Sequence, residues 1–187
     1  MTLFSHPLTE NADLRPLEPW QAEEFCTYVD RVRSHLVPWL PWAHTITDPE
    51  SSRQFLQRYA DEQARGGGRI FGIWSDGELV GGALFRIFDT PSGVCELGVW
   101  LSPEAEGRGL VTRAARHLVD WALKERGMAR VEWRVTPANI RSIAVAKRLG
   151  MRHEGTLREV FPFNGVRQDL EIWALLAGDP ADRQPAD

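Results

Sequence analysis

Few folds can accommodate the order of segments between residues 94 and 135. An apolar strand, VCELGVWL, runs into a loop in which Gly107 and Gly109 flank Arg108, and an amphipathic helix follows at once. Leu110, Ala114, Leu118 and Ala122 share one stripe of that helix, Val111, Ala115 and Val119 lie beside it, and Gly127 stops it. A second strand, RVEWRV, then alternates apolar and charged residues. Two strands of one sheet joined through a helix run parallel. The crossover is right-handed, because a right-twisted strand packs its helix back onto the sheet only that way. The remaining segments must be arranged around this pair.

Upstream, Phe25, Val29, Val32 and Leu36 recur at three- and four-residue steps and predict a helix. Two prolines break the chain in VPWLPWAH. A second helix is expected from TDPESSRQFLQRYADEQARGGG, with Thr47 and Glu50 at capping-box spacing, Pro49 in the first turn and three glycines at its end. RIFGIW and ELVGGALFRIF flank Asp76-Gly77, a two-residue hairpin turn. Downstream, PANIRSIAVAKRLG predicts a helix ended by Gly150, and EGTLREVF pairs with QDLEIWALL around Asn164-Gly165. The sum is an α/β chain with a mixed sheet of α+β type. Its order is two helices, an antiparallel set, the strand–helix–strand unit, a helix and a last hairpin. A length of 187 residues suits about one domain, expected over residues 1–178, with a loose Pro/Asp-rich tail over 179–187.

Several function classes are set aside. A formal net charge of −4 offers no broad basic field for nucleic acid. No run approaches the ~18 apolar residues of a membrane span. The N-terminus has no basic segment followed by an apolar one, so no signal peptide is expected. Cys26 and Cys95 are too few for a disulfide framework and read as reduced, buried thiols, which points to the cytoplasm. The five histidines show no ligand spacing, and no metal is assigned.

Glycines before a helix let a ligand approach backbone N–H groups that have no helical partner and carry a partial positive charge. Together these make an anion cradle, usually for phosphate; a tight strand-to-helix turn is the plainer alternative. A P-loop would need Gly-Lys-Ser/Thr, which is absent. The dinucleotide fingerprint fails as well, because Thr112 stands where its third glycine belongs.

Residues 95–112, CELGVWLSPEAEGRGLVT, resemble the acyl-CoA pyrophosphate loop of the GNAT acetyltransferases, Gln/Arg-x-x-Gly-x-Gly/Ala between a strand and a helix. Gly109 matches the first glycine, Glu106 stands where Gln or Arg is commonest, and Val111 replaces the last Gly or Ala. A second block, NIRSIAVAKRLGMRHEGTLRE, resembles the family's Asn-x-x-Ser/Ala…Arg-Leu-Gly-Phe/Met-x-x-Glu-Gly. HLVPWLPWAHTI and FNGVRQDLEIWALL resemble the RimJ/RimL-type branch, so the likeness spans about residues 8–178. It implies a GNAT fold: a twisted mixed sheet with helices on both faces and a splayed parallel strand pair that takes acyl-CoA.

The resemblance also implies roles. Backbone groups of Val99 and Leu101 would pair with the pantetheine arm. Gly107, Arg108, Gly109, Leu110, Val111 and Thr112 would hold the pyrophosphate, and Asn139 and Ser142 would face the cofactor. Plainer readings are an N-cap for Asn139 and a first-turn helix residue for Ser142. Glu96 occupies the place of the family's general base; burial in an apolar strand would raise its pKa toward neutrality, unless it is a structural carboxylate. The usual acid, a tyrosine seven residues after the asparagine, is Ala146 here, and Ser142 is the family-matched substitute. Trp39 and Trp42 would flank the acceptor mouth, or simply pack their loop.

The expected activity is acetyl-CoA-dependent N-acetyl transfer to a primary amine, favoured as a protein or peptide N-terminus. An α-amine of pKa ~7.7–8.0 is about a fifth neutral at physiological pH, whereas lysine at ~10.4 is neutral about one part in a thousand, so a modest base suits the former. A small-molecule amine or antibiotic acetyltransferase and a catalytically idle acyl-CoA sensor are the alternatives. No nucleic-acid or membrane partner is expected, and the chain is expected as a monomer or homodimer.

Overall fold

The chain runs through β1 (His6–Thr9), β2 (Ala12–Pro16), α1 (Ala22–Leu36), α2 (Pro49–Ala64), β3 (Arg69–Ser75), β4 (Glu78–Asp89) and β5 (Val94–Leu101). It continues through α3 (Leu110–Asp120), β6 (Arg130–Val135), α4 (Ile140–Arg148), β7 (Arg152–Phe163) and β8 (Val166–Leu176). These are the elements of a computed structural model that describes residues 5–179; of the tail expected to be loose, residues 180–187 lie outside the described residues. The strands form one sheet in the order β1-β2-β3-β4-β5-β6-β8-β7. Among the described residues only β5 and β6 run parallel, and α3 supplies their crossover.

Strand alternation sends neighbouring residues to opposite faces, and each face has its own core. On one side Ala83 and Phe85 of β4, Leu97 of β5 and Trp133 of β6 pack against Leu110, Ala114 and Leu118 of α3 and Ile143 of α4. On the other, Trp74 of β3, Leu84 of β4 and Trp100 of β5 pack against Phe25, Val29 and Val32 of α1 and Leu56 of α2. Helices therefore cover both faces, as the resemblance implied. Gly82 makes the second core possible: a Cβ there would lie 2.2 Å from the Trp100 ring and 2.4 Å from the Phe71 carbonyl oxygen.

Three features differ from expectation. The β1–β2 hairpin did not stand out in the sequence. It is short, holds Pro7 and Pro16, and its register shifts between Pro7 and Thr9; edge strands tolerate such breaks. The cap of α2 is one residue later than expected. Asp48, not Thr47, is the N-cap, and its Oδ1 accepts from Ser51 N at 2.7 Å while Ser51 Oγ accepts from Asp48 N at 3.1 Å. Finally, α3 widens into a π-helical turn over Trp121–Glu125 before Gly127, at φ 65°, ends it.

Candidate active site

The parallel pair holds register at Val94↔Arg130, Cys95↔Val131 and Glu96↔Glu132, and no further. Both strands continue, so beyond Glu96 and Glu132 they diverge and leave a wedge. Ser102 N donates to Val80 O at 2.8 Å, toward β4. Backbone direction alternates along a strand, so the amides and carbonyls of Val99 and Leu101 point the other way, into the wedge. Just past β6, Thr136 Oγ1 is buried and has no hydrogen-bond partner among the described residues. A polar, extended ligand in the wedge would satisfy the backbone groups of Val99 and Leu101.

The wedge leads from the entrance of α3. Gly107 and Gly109 take φ 77° and 72°, the left-handed region where glycine carries no steric penalty. Gly109 is the N-cap and provides no capping side chain, so the first-turn N–H groups of Leu110, Val111 and Thr112 lack that partner. A Cβ at Gly107 would meet nothing within 4 Å, and one at Gly109 only Arg113 Nε at 3.8 Å, so the approach is open. The flanking side chains are engaged elsewhere. Arg108 reaches Asp76 at 3.8 Å, and buried Thr112 accepts from Arg148 Nε at 3.2 Å. Glu106 pairs with Arg141 Nη1 at 2.8 Å and lies 3.4 Å from His35 Nε2, tying the loop to α4 and α1.

Asn139 caps α4 by accepting from Ser142 N at 3.1 Å. The Ser142 hydroxyl is bound neither to its own backbone nor to Asn139; it accepts from the indole Nε1 of Trp133 at 2.9 Å. Ala146 is fully buried in the core beneath α4.

At the apex of the wedge stands Glu96, whose side chain is 12% exposed. Its surroundings are not the apolar ones expected. Arg86 Nε donates to Oε1 at 2.7 Å, a second Arg86 nitrogen binds Oε2, and Arg134 Nε lies 3.4 Å from Oε2. The carboxylate faces two guanidinium groups because β4 and β6, its neighbours on either side, each present an arginine on the same face. The row continues as Arg134 and Arg130 both bind Glu132, and Arg130 Nη1 donates to Glu154 at 2.9 Å. Burial pushes the Glu132 carboxyl up, but the hydrogen bonds and charges of Arg130 and Arg134 outweigh it and hold the group below the usual carboxylate range. The hydrogen bond to Glu96 raises the Arg86 guanidinium further above its ordinary value.

The two tryptophans assigned to the acceptor mouth part company. Trp42 packs edge-on to Trp100 at 5.3 Å and tilts against Phe55 and Phe25, whereas Trp39 is largely at the surface. The same irregular segment sends His44 to the β7–β8 turn, with Nε2 3.2 Å from Asn164 Oδ1 and the ring edge-on to Phe163. Sequence reasoning had missed the arginine row and Trp133. Arg130, Glu132 and Arg134 share a face by simple alternation, but Arg86 joins them only through the β4–β5 register.

The sequence model of the acetyltransferase (GNAT) domain matches residues 12–152. The Bacillus subtilis (strain 168) protein named "Probable N-acetyltransferase YjcK" is 30% identical over 175 residues, covering 91% of this chain and 96% of that one. The Escherichia coli (strain K12) ribosomal-protein-serine acetyltransferase is 25% identical over 73% of this chain and 76% of its own. Among solved structures, RimL, a ribosomal L7/L12 alpha-N-protein acetyltransferase in complex with coenzyme A, overlays with a TM-score of 0.87. It covers 92% of this chain and 97% of that one at 21% identity, a likeness of fold. With the family's domain matched over most of this chain's length, and a mixed sheet splayed at the parallel pair β5–β6, the chain belongs to the GNAT family of acetyltransferases.

Proposed function

We propose that this acetyltransferase takes acetyl-CoA as donor and an N-terminal α-amine of a protein or peptide as acceptor. One observation carries the reading: the wedge between β5 and β6 runs from an uncapped glycine helix entrance to an ion-paired carboxylate at its apex. The Escherichia coli relative with a protein acceptor in its name supports the choice of amine.

The residues fit the group they would hold. The first turn of α3, from Gly109 to Thr112, offers backbone N–H donors and the positive end of the helix to a pyrophosphate. Arg108 lies beside them and would exchange Asp76 for phosphate. Val99 and Leu101 would bond the amides of the pantetheine arm, and Asn139 and Ser142 would flank it from α4. Acetyl-CoA supplies an acetyl group activated as a thioester. Glu96 takes the proton of the attacking amine, directly or through water, and Arg86 and Arg134 hold its carboxylate in place. Ser142 offers its hydroxyl proton to the leaving sulfur. A thiol's reference pKa of ~8.5 makes this modest help sufficient. Trp39 and the His44–Asn164 contact border the acceptor's approach. Cys26 and Cys95 are both buried free thiols, in keeping with a reducing cytoplasm, and among the described residues no helix is long and apolar enough to cross a membrane.

The test has two arms. Coenzyme A at ~100 times its dissociation constant should stabilise the fold by roughly 2.7 kcal/mol, a rise of about 5–10 °C in Tm, while NAD should have no effect. Peptides with free and blocked N-termini, lysine-only peptides and small amines are then offered with acetyl-CoA, and products are weighed by mass spectrometry. No shift with coenzyme A overturns the donor; acetylation of small amines alone overturns the acceptor.

A further inference from the structure

The bond between Trp133 and Ser142 has a direction that chemistry fixes. An indole nitrogen donates and cannot accept, so Ser142 Oγ is the acceptor and its own proton takes no part in this bond. The serine is held at two atoms. Its amide donates to Asn139 Oδ1 at 3.1 Å, and its oxygen receives the indole at 2.9 Å. Trp133 is itself immobile: it is 2% exposed, on the central strand β6, within the core closed by α3 and α4. With one lone pair taken by an immobile donor, the hydroxyl proton is excluded from that direction. Among the described residues no protein group accepts it.

We propose that Trp133 is a positioning residue for acetyl transfer, which orients Ser142 as a proton donor and makes it a stronger one. The proposal rests on the reading of Ser142 as the group that protonates the leaving thiol. In that step the amine nitrogen bonds to the acetyl carbon and the carbon–sulfur bond breaks. The sulfur keeps the electron pair and takes the Ser142 proton. The amine's surplus proton leaves through Glu96 or water, and Ser142 Oγ recovers a proton from water. While it is giving up its proton Oγ gains negative charge, and a hydrogen bond received by an oxygen strengthens as that oxygen becomes charged. The indole N–H therefore favours the product side of the proton transfer, in a part-buried setting where water competes less than in the open. A tryptophan that merely needed a partner for its N–H would bond the same serine, yet would leave the rate untouched when that N–H is removed.

Trp133→Phe keeps the ring and deletes the donor. Expected is a fall in kcat of roughly tenfold, the size of one hydrogen bond to a developing charge, with coenzyme A affinity and the KM for the amine nearly unchanged. In a Ser142→Ala background the same substitution should cost kcat nothing further, since the two residues act as one unit. Ser142→Thr, which keeps a hydroxyl, should retain most of the rate. An unchanged kcat in a folded Trp133→Phe, or additive losses in the double variant, overturns the proposal. If Ser142→Ala has wild-type kcat while coenzyme A still binds, the role of Ser142 fails and the proposal with it, but the acetyltransferase reading stands. A readout free of activity covers the case in which Trp133→Phe does not fold. In protein labelled with ¹⁵N-tryptophan, one indole N–H resonance should move on Ser142→Ala and move again when coenzyme A is added to the wild type. A resonance that responds to the serine but is blind to coenzyme A overturns it.

Discussion

Replacing Glu96 with glutamine separates the two things the carboxylate does. The amide keeps the shape and loses the charge and the basicity. The stability cost follows from what surrounds it. Breaking a fully buried ion pair costs about 3–5 kcal/mol, because the abandoned partner cannot reach water. Here Arg86 is 51% exposed and can turn outward, and Arg134 keeps Glu132 at 3.0 Å. The cost should therefore fall to about 1–2 kcal/mol. For a domain of this size that is a loss of roughly 2–8 °C in Tm. The rate should fall much further, by ~10²–10⁴-fold, the usual worth of a positioned general base. Thiol release is followed with a proven acceptor over about pH 6–9, beside calorimetric Tm and coenzyme A affinity. The wild-type rate rises with pH in any case as an α-amine of pKa ~7.7–8.0 deprotonates, so the profile alone does not identify the base. A variant that loses the expected few degrees but acetylates at near wild-type rate across that range refutes the assignment. Glu96 would then be only the clasp between β4 and β6.

Gly109→Val forces a β-branched residue to φ 72°, a strain of at least ~1–2 kcal/mol, and places a side chain where the approach is open; coenzyme A affinity measured by calorimetry should drop while the fold persists, and an unchanged Kd would put the cradle elsewhere. Gly82→Ala sets a Cβ against both the Trp100 ring and the Phe71 carbonyl and should cost about 1–3 kcal/mol in urea unfolding; an unchanged midpoint would mean the tryptophan moves aside freely. Burial, and then the His6 ring stacked at 3.4 Å, hold the His117 imidazole below its ordinary 6.5. The unfolded chain therefore binds the proton first as pH falls, so this contribution is fully present above the ordinary histidine range and declines below it. Tm compared between neutral and mildly acid pH should fall less in His117→Gln than in the wild type, and equal falls would refute the coupling.

The strand–helix–strand unit was legible because three independent signals agreed over 94–135: alternation, a helical stripe and glycine punctuation. Every stripe residue named there, apart from half-buried Val111, is buried in the core under α3. The β1–β2 hairpin was not legible for the opposite reason. Its strands are four and five residues long, prolines sit in both, and Leu8, Ala12 and Leu14 are buried in a core shared with β3 and α3, which lie far along the chain. The α2 cap was misplaced by one residue because Thr47, Asp48 and Ser51 all carry capping side chains. Spacing alone does not choose among them; geometry does, and Asp48 accepts from the N3 amide.

The site divides along the same line. The glycine entrance was readable because its function is carried by backbone, and backbone requirements leave a residue signature: only glycine sits at φ 72–77° without strain. The setting of Glu96 was not. Its own strand is apolar, and from that strand alone a desolvated carboxylate is the natural inference. The two arginines come from strands on either side, one antiparallel and ten residues away, the other parallel and reached across α3. Pairing decides such contacts, and a slip of one residue in the β4–β5 register would turn Arg86 to the opposite face. That register is itself irregular, shifting between Phe85 and Ile87, beside the arginine that binds Glu96. A bulge re-aims the side chains next to it. This one brings Arg86 into bidentate reach of Glu96 at the point where β6 begins to leave β5, so the clasp sits at the apex of the wedge.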